Sequence, residues 1–499
     1  MSHPRRHLSY PLLLAALLLP RLPARAQEQK PPPVDLQAIG VPLDQLPHAE
    51  AILQAQLDRL KAAGEPVTAA ELAGSPIPDE GNAALVYLQA FAALKFARPG
   101  EGTPVPPRLI GRGTAPPPPA PAPLPQPGAA PPVPAVPGAP ELPAAVDENH
   151  WVAGNLEAIA LLEKAAQLPR SRWPYDWTKG PGNFLSLPDY SQLRTCSGLL
   201  AAKMRIETRG GSLDEALQTC AVSLALPRSL ERAPSLISDL VTAALYAIST
   251  DGLRRCLGLE KPAVRLLYPA GVAPEAPPLL PSTPACRALF LRLAQVDLRT
   301  PLHWALLGER VETAATLDGI RAQAAAAPAK PTAPGAKLNE MESLYTSPQG
   351  MQVLMLDEAM YLRVMAEIIQ AADLPSGPRR AALAALDART QALPLCYMFT
   401  KMSTGIFSSR FFFKTDQTAT ELARSQIALA LVAYHNETGQ WPATLDQLHK
   451  VVAWDLPLDP FSGKDFLYRR EGEGWVLYSV GANQKDDGGT GDDMVWRKK

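Results

Sequence analysis

Apolar residues recur at helical spacing along most of this chain. In HAEAILQAQLDRLKAAGEP, Ile52, Leu53, Leu57 and Leu60 fall on one face of a helix. Gly64 ends that helix and Pro66 reinforces the stop. GNAALVYLQAFAALKFA, over 81–97, predicts a second helix. DYSQLRTCSGLLAAKMRIETR carries Leu193, Leu199, Leu200, Met204 and Ile206, Gly210 and Gly211 make a turn, and SLDEALQTCAVSLAL begins a new helix. Ser212 and Glu215 have the spacing of a capping box, in which each side chain satisfies a free amide of the first turn. Further helices are expected in SLISDLVTAALYAISTDGLRRCLG, in CRALFLRLAQVDLRTPLHWALLGERVETAATL and in MQVLMLDEAMYLRVMAEIIQAA.

From Lys414 the texture changes. TDQTATELARSQIALALVAYHNETGQWP reads as one helix, apolar at Ala423, Ile427, Ala430, Leu431 and Tyr434 and on its flanks. A helix so broadly apolar should be wrapped on more than one side. The stretch from Asn436 to Gly439 stops it and Trp441-Pro442 turns the chain away. TLDQL starts a short helix, with Thr444 and Gln447 at capping-box spacing. DPFSGKDFLYRR and EGWVLYSV alternate apolar and polar residues across a Gly-containing turn, the pattern of an antiparallel hairpin.

Composition divides the pattern into pieces. The chain has 499 residues, 46% of them hydrophobic, enough for two or three domains with a sizeable core. Its 54 prolines cluster. Proline fixes φ and removes a backbone donor, so 114–143 is expected as a semi-rigid linker and 322–337 as a second, Ala/Pro-rich one. A docking ligand for a proline-recognition domain is the alternative for the first. The N-terminus has a basic head at Arg5, Arg6 and His7, the apolar run PLLLAALLLP, and a small-x-small site ending at Ala26. That is a signal peptide over 1–26, with a twin-arginine signal as the alternative. No later segment reads as membrane-spanning, so an exported protein, periplasmic or extracellular, is expected.

The organisation that follows is 27–113 as an N-terminal helical segment, 144–321 as a helical domain, 338–413 as its continuation, and 414–499 as a C-terminal domain. The fold class is multidomain α plus α+β: an irregular helical-hairpin domain, then a small domain of one long helix on an antiparallel sheet. The hairpin at 189–226 resembles one tetratricopeptide-type repeat, but nothing recurs at a fixed period, so no regular solenoid is expected.

A net charge of −1 offers no footprint for nucleic acid. Cys196, Cys220, Cys256, Cys286 and Cys396 are too few and too scattered for a disulfide framework, and small buried residues are the expectation. Cys196 and Cys220 sit out of step about the Gly pair, so no bridge is expected there. His48, His150, His303, His435 and His449 show no zinc-ligand spacing, and no nucleophile elbow, P-loop or dinucleotide fingerprint is present. In SRWPYDWTKGPGNF, Asp176 is flanked by Trp173, Tyr175 and Trp177. Aromatic faces around a carboxylate can hold a sugar or a cation. A glycan hydrolase would need a second carboxylate nearby; the alternative is an aromatic plug over the helical core.

The order ALALVAYHNETGQWP, then LPLDPFSGKDFLYRR, then GWVLYSVGANQKDDGGTGDD resembles the globular head of the major pseudopilin of the type II secretion system. The likeness covers Thr418 to Asp493 and is specific in order and spacing. The whole chain is similar to exported bacterial proteins that carry this head at their C-terminus, for which no activity is implied. The resemblance implies one long helix packed on a small antiparallel sheet, closed by a calcium-binding loop. Ser479, Asn483, Asp486, Asp487, Asp492 and Asp493 would supply the oxygens, and Gly488 and Gly489 the turn. Asn483 stands where the family usually has Asp, and Met494-Val495 where it carries another acid, which weakens the implied site. A solvated acidic turn is the alternative. The family's long apolar anchoring helix is missing, since MSTGIFSSRFFFKTDQ precedes the head, so filament assembly is not expected. The expected function is a non-catalytic binding or scaffold protein of the cell envelope, with an envelope protein or glycan as partner. The alternative is an envelope hydrolase using Asp176 on glycan or peptide.

Overall fold

The computed structural model describes residues 35–95, 147–176, 190–259, 280–326, 348–407 and 409–499. The signal at 1–26, the linker at 114–143 and Trp177 lie outside the described residues.

Helix α1 (Ala49–Ala62) ends at Gly64, whose φ of 75° is the left-handed stop the sequence anticipates. Helix α2 (Ala69–Ala73) starts from a complete capping box: Glu71 N donates to Thr68 Oγ1 at 3.2 Å and Thr68 N donates to the Glu71 carboxylate at 3.1 Å. Asn82 caps α3 (Ala83–Ala93) and Asp147 caps α4 (Glu148–Gly154), which leads into α5 (Leu156–Ala166). The predicted hairpin is α6 (Tyr190–Arg209) and α7 (Leu213–Ser223), with Gly211 in the turn at φ 78°. Ser212 holds the N-cap position but makes no side-chain cap bond. At φ −80° and ψ 61° it lacks the extended backbone a capping residue normally adopts, so the expected box with Glu215 does not form.

The chain continues through the single turn α8 (Ala225–Arg228), α9 (Leu236–Cys256), α10 (Thr283–Ala294) and α11 (Arg299–Ala326). Helix α11 runs into the segment expected as the second linker, because the alanines after Arg321 are strong helix formers. Then come α12 (Pro348–Ala372), α13 (Ser376–Gln391), α14 (Met398–Thr404), α15 (Ser409–Thr438) and α16 (Asp446–Val451). At α16 the expected box is displaced by one residue, since Ala443 N, not Thr444 N, donates to Gln447 Oε1 at 2.7 Å.

The protein is mostly helical, with one small antiparallel sheet near its C-terminus. Strands β1 (Leu467–Glu471) and β2 (Gly474–Ser479) form the predicted hairpin, Tyr468 opposite Leu477. Gly472, at φ 58°, opens its tight turn. A third strand, β3 (Met494–Lys498), pairs along β2 with Trp496 opposite Leu477 and leaves β2 central and fully buried. Met494 and Val495, which stand where the resembled family carries another acid, open this strand.

The boundary expected at 414 falls inside α15. Ala428 to Ala433 are six consecutive residues with no more than 1% exposure. That run is longer than a helical turn, so one neighbouring surface cannot cover it. Helices α9 and α10 pack against α15, and the same apolar cluster takes in Trp475, Leu477 and Trp496 of the sheet. The first turns of α15 are held by α13, where Arg379 and Ser376 both donate to Asp416 and the Arg379 guanidinium lies 5.7 Å from the Phe412 ring centre. The C-terminal helix and sheet therefore share a core with upstream helices. A second apolar cluster joins α1, α3, α5, α6, α11 and α12, and a small third one holds Val41, Leu46 and Ala49 against α12.

By length and composition α9 could cross a membrane, with a mean hydropathy of 1.2, contrary to the expectation that no such segment exists. Here it is a core helix packed on α6, α7, α11 and α15. A helix surrounded by protein is apolar for the same reason as one surrounded by lipid.

Candidate functional site

The loop between β2 and β3 is organised by its own carboxylates. Asp493 Oδ2 accepts from Gly489 N at 2.7 Å and Asp487 N at 3.1 Å. Asp492 Oδ2 accepts from Asn483 N at 2.8 Å, and Asp487 Oδ2 accepts from Asn483 Nδ2 at 2.8 Å. Asp486 Oδ1 accepts from Gly488 N at 2.9 Å and from the Tyr478 hydroxyl at 3.1 Å. Gly481, Gly488, Gly489 and Gly491 all have positive φ, which lets the backbone turn its amides inward to meet these oxygens. Burial pushes the Asp493 carboxyl above the ordinary carboxylate range; the Gly489 amide opposes this, and the neighbouring charges of Asp487 and Asp486 add to it.

Five of the six residues proposed as calcium ligands belong to this network. Ser479 belongs to another: its hydroxyl donates to Asp459 Oδ1 at 2.7 Å and accepts from Gly481 N at 3.1 Å. Asp459, which is not among the expected ligands, is buried and also receives Phe461 N and the Ser462 hydroxyl. Its signal was present in DPFSG, since Asp before a Gly-containing bend commonly bonds the amide two residues on. The start of the loop is also anchored to its surroundings. Gln484 Nε2 donates to Phe461 O at 2.6 Å, and Arg380 of α13 donates to Ala482 O. Arg469 lies 5.7 Å from the Tyr478 ring centre on the other side.

The donor set is the hard-oxygen kind calcium prefers. Asp493 Oδ1 is buried and meets no hydrogen-bond donor among the described residues. The loop's other carboxylate oxygens named above face donors already, backbone amides together with the Asn483 side-chain amide and the Tyr478 hydroxyl. Among the described residues, no three His, Cys, Asp or Glu side chains gather closely enough to hold a metal ion. Calcium would therefore need some carboxylates to exchange their amide partners for the ion.

The aromatic stretch before 177 divides. Trp173 is 2% exposed and packs against Phe91 and Tyr87, ring centres 5.9 and 6.4 Å away. Its indole donates to Ser229 O at 2.8 Å. Tyr175 is also buried, and Asp176 is half-buried. Trp173 thus ties the segment after α5 to the helical core and presents no open face to a sugar. The five cysteines are free and buried. Burial pushes Cys196 and Cys286 up to about 12, and Cys256 and Cys396 up to about 11, which keeps them as unreactive thiols.

Neither models of known families, nor curated proteins, nor solved structures give a significant match to this chain.

Proposed function

We propose that this chain is an exported, non-catalytic binding or scaffold protein of the cell envelope, with a C-terminal segment built on the plan of a type II secretion pseudopilin head. The observation that carries the reading is one long helix, α15, sharing an apolar core with a small antiparallel meander whose last two strands are joined by the Gly- and Asp-rich loop. The packed Trp173 supports the scaffold over the hydrolase, because an aromatic platform for glycan must offer a face. The Asp416–Arg379 tie argues against filament assembly, since it occupies the end of α15 from which an anchoring stalk would extend.

Two measurements test this. The protein recovered from envelope fractions should begin at Gln27; a chain retained in the cytoplasm with its first 26 residues intact overturns the export assignment. Calcium is the ion this reading assigns to the loop, held by Asp486, Asp487, Asp492 and Asp493 with the Asn483 amide oxygen. Millimolar calcium should raise the melting temperature of the full chain, and Asp487→Asn with Asp493→Asn should abolish the rise. No calcium response in the wild type removes the ion from the reading.

A further inference from the structure

A pocket of about 350 Å³ opens where three helices end. It is lined by Gln167 and Leu168 just after α5, by Arg228 at the end of α8, and by Leu291, Arg292 and Gln295 on the last turn of α10 and beyond. Its volume lies within the range of small-molecule sites, roughly 300–1,000 Å³. No acidic side chain lines it.

The two arginines are unusual in this protein. The well-buried guanidiniums of this protein have acceptors: Arg254 has Asp251 and Leu259 O, Arg310 has Glu65 and Pro66 O, Arg379 has Asp416 and Ala372 O, and Arg424 has Glu421. Arg228 and Arg292 are half-buried, and among the described residues no oxygen accepts a hydrogen bond from either. Both also act on one buried hydroxyl. Burial pushes Tyr87 well above its ordinary value, and the charges of Arg228 and Arg292 pull against that rise. Two like charges converging on one concavity raise each other's energy unless a counter-charge joins them. The ends of α5 and α10 contribute partial negative charges of roughly half a unit each, which offset about one of the two formal charges. The residues that line the pocket therefore keep a net positive charge, although Glu231 and Asp297 act with Arg228 on the nearby Tyr246. Beside the guanidiniums, Leu291 leaves half of its surface in water.

We propose that this pocket binds a small organic oxyanion, a carboxylate or phosphate carried on a short apolar body. The planar forks of Arg228 and Arg292 take the oxygens, as guanidiniums do with either group. Leu168 and Leu291 cover the apolar body, and Gln167 and Gln295 stand at the rim. No residue of the C-terminal loop takes part, so the assignment holds whether or not the chain is a scaffold.

Calorimetric titration of the full chain with phenyl phosphate, benzoate and neutral benzyl alcohol tests it. Saturable binding of at least one anion is expected, with none for the alcohol, and the tighter anion identifies the oxyanion. Arg228→Gln and Arg292→Gln should each weaken binding about tenfold or more, equivalent to about 1.4 kcal/mol. Arg228→Lys and Arg292→Lys keep the charge, lose the fork and should weaken binding less; they serve if the Gln variants do not fold. Absence of saturable binding by either anion, binding of the alcohol as tight as that of the anions, or wild-type affinity in the Arg variants overturns the proposal.

Discussion

Single side chains in this protein are set by burial more than by their type. Asp239 lies on the core helix α9, and burial raises its carboxyl from an ordinary 3.8 to about 7. Its acid form is therefore the one the fold favours. The stability this contributes is complete below pH 3.8 and is lost as pH rises from there through about 7. The gap is worth on the order of 4 kcal/mol as an upper bound. Asp239→Asn should raise the melting temperature at pH 8 and leave it nearly unchanged at pH 4; equal effects at both pH values would show that Asp239 ionises freely. Trp173 makes a second case. Trp173→Ala removes a buried indole and its bond to Ser229 O, with an expected loss of about 3–5 kcal/mol in chemical denaturation. A loss under about 1 kcal/mol would mean that the ring is not seated in the core.

At the scale of elements, glycine geometry decides how the loop closes. Gly481 combines a φ of 63° with a position where any β-carbon would meet the backbone oxygen of Asp492. Gly481→Ala should cost about 1–3 kcal/mol through strain alone. It should also open residues 481–493 to protease before the rest of the molecule unfolds. A variant with wild-type stability and cleavage would show that the loop has room to relax. Most of the long helices and the β1–β2 hairpin were legible because period and turn residues are local, whereas α5 and α13 were not singled out. Strand β3 was not. Its five residues, MVWRK, carry no alternation strong enough to stand out, and their pairing with β2 spans the whole loop. The Ser212 box failed for a related reason: residue types suggest a cap, but only backbone angles make one.

The whole molecule behaves differently from the sum of its expected domains. Because α15 is wrapped by α9 and α10 as well as by the sheet, a fragment spanning 414–499 would expose the apolar face those helices cover. That fragment should show no cooperative melting by circular dichroism, and in the full chain amide exchange in α10 and β2 should slow together. A fragment that melts cooperatively on its own would restore the C-terminal segment as a separate domain. The candidate loop was visible as composition, down to five of its six residues; the turning of its carboxylates onto its own amides was not. The amino-acid order alone determined where most of the long helices run, which of them is apolar all round, and where the hairpin turns, since periodicity is written along the covalent chain. Only the tertiary structure decided which surfaces wrap α15, that Trp173 is a plug, that β3 completes the sheet, and that Arg228 and Arg292 share one pocket. Each of those depends on residues far apart in sequence, whose approach is settled by packing rather than by spacing.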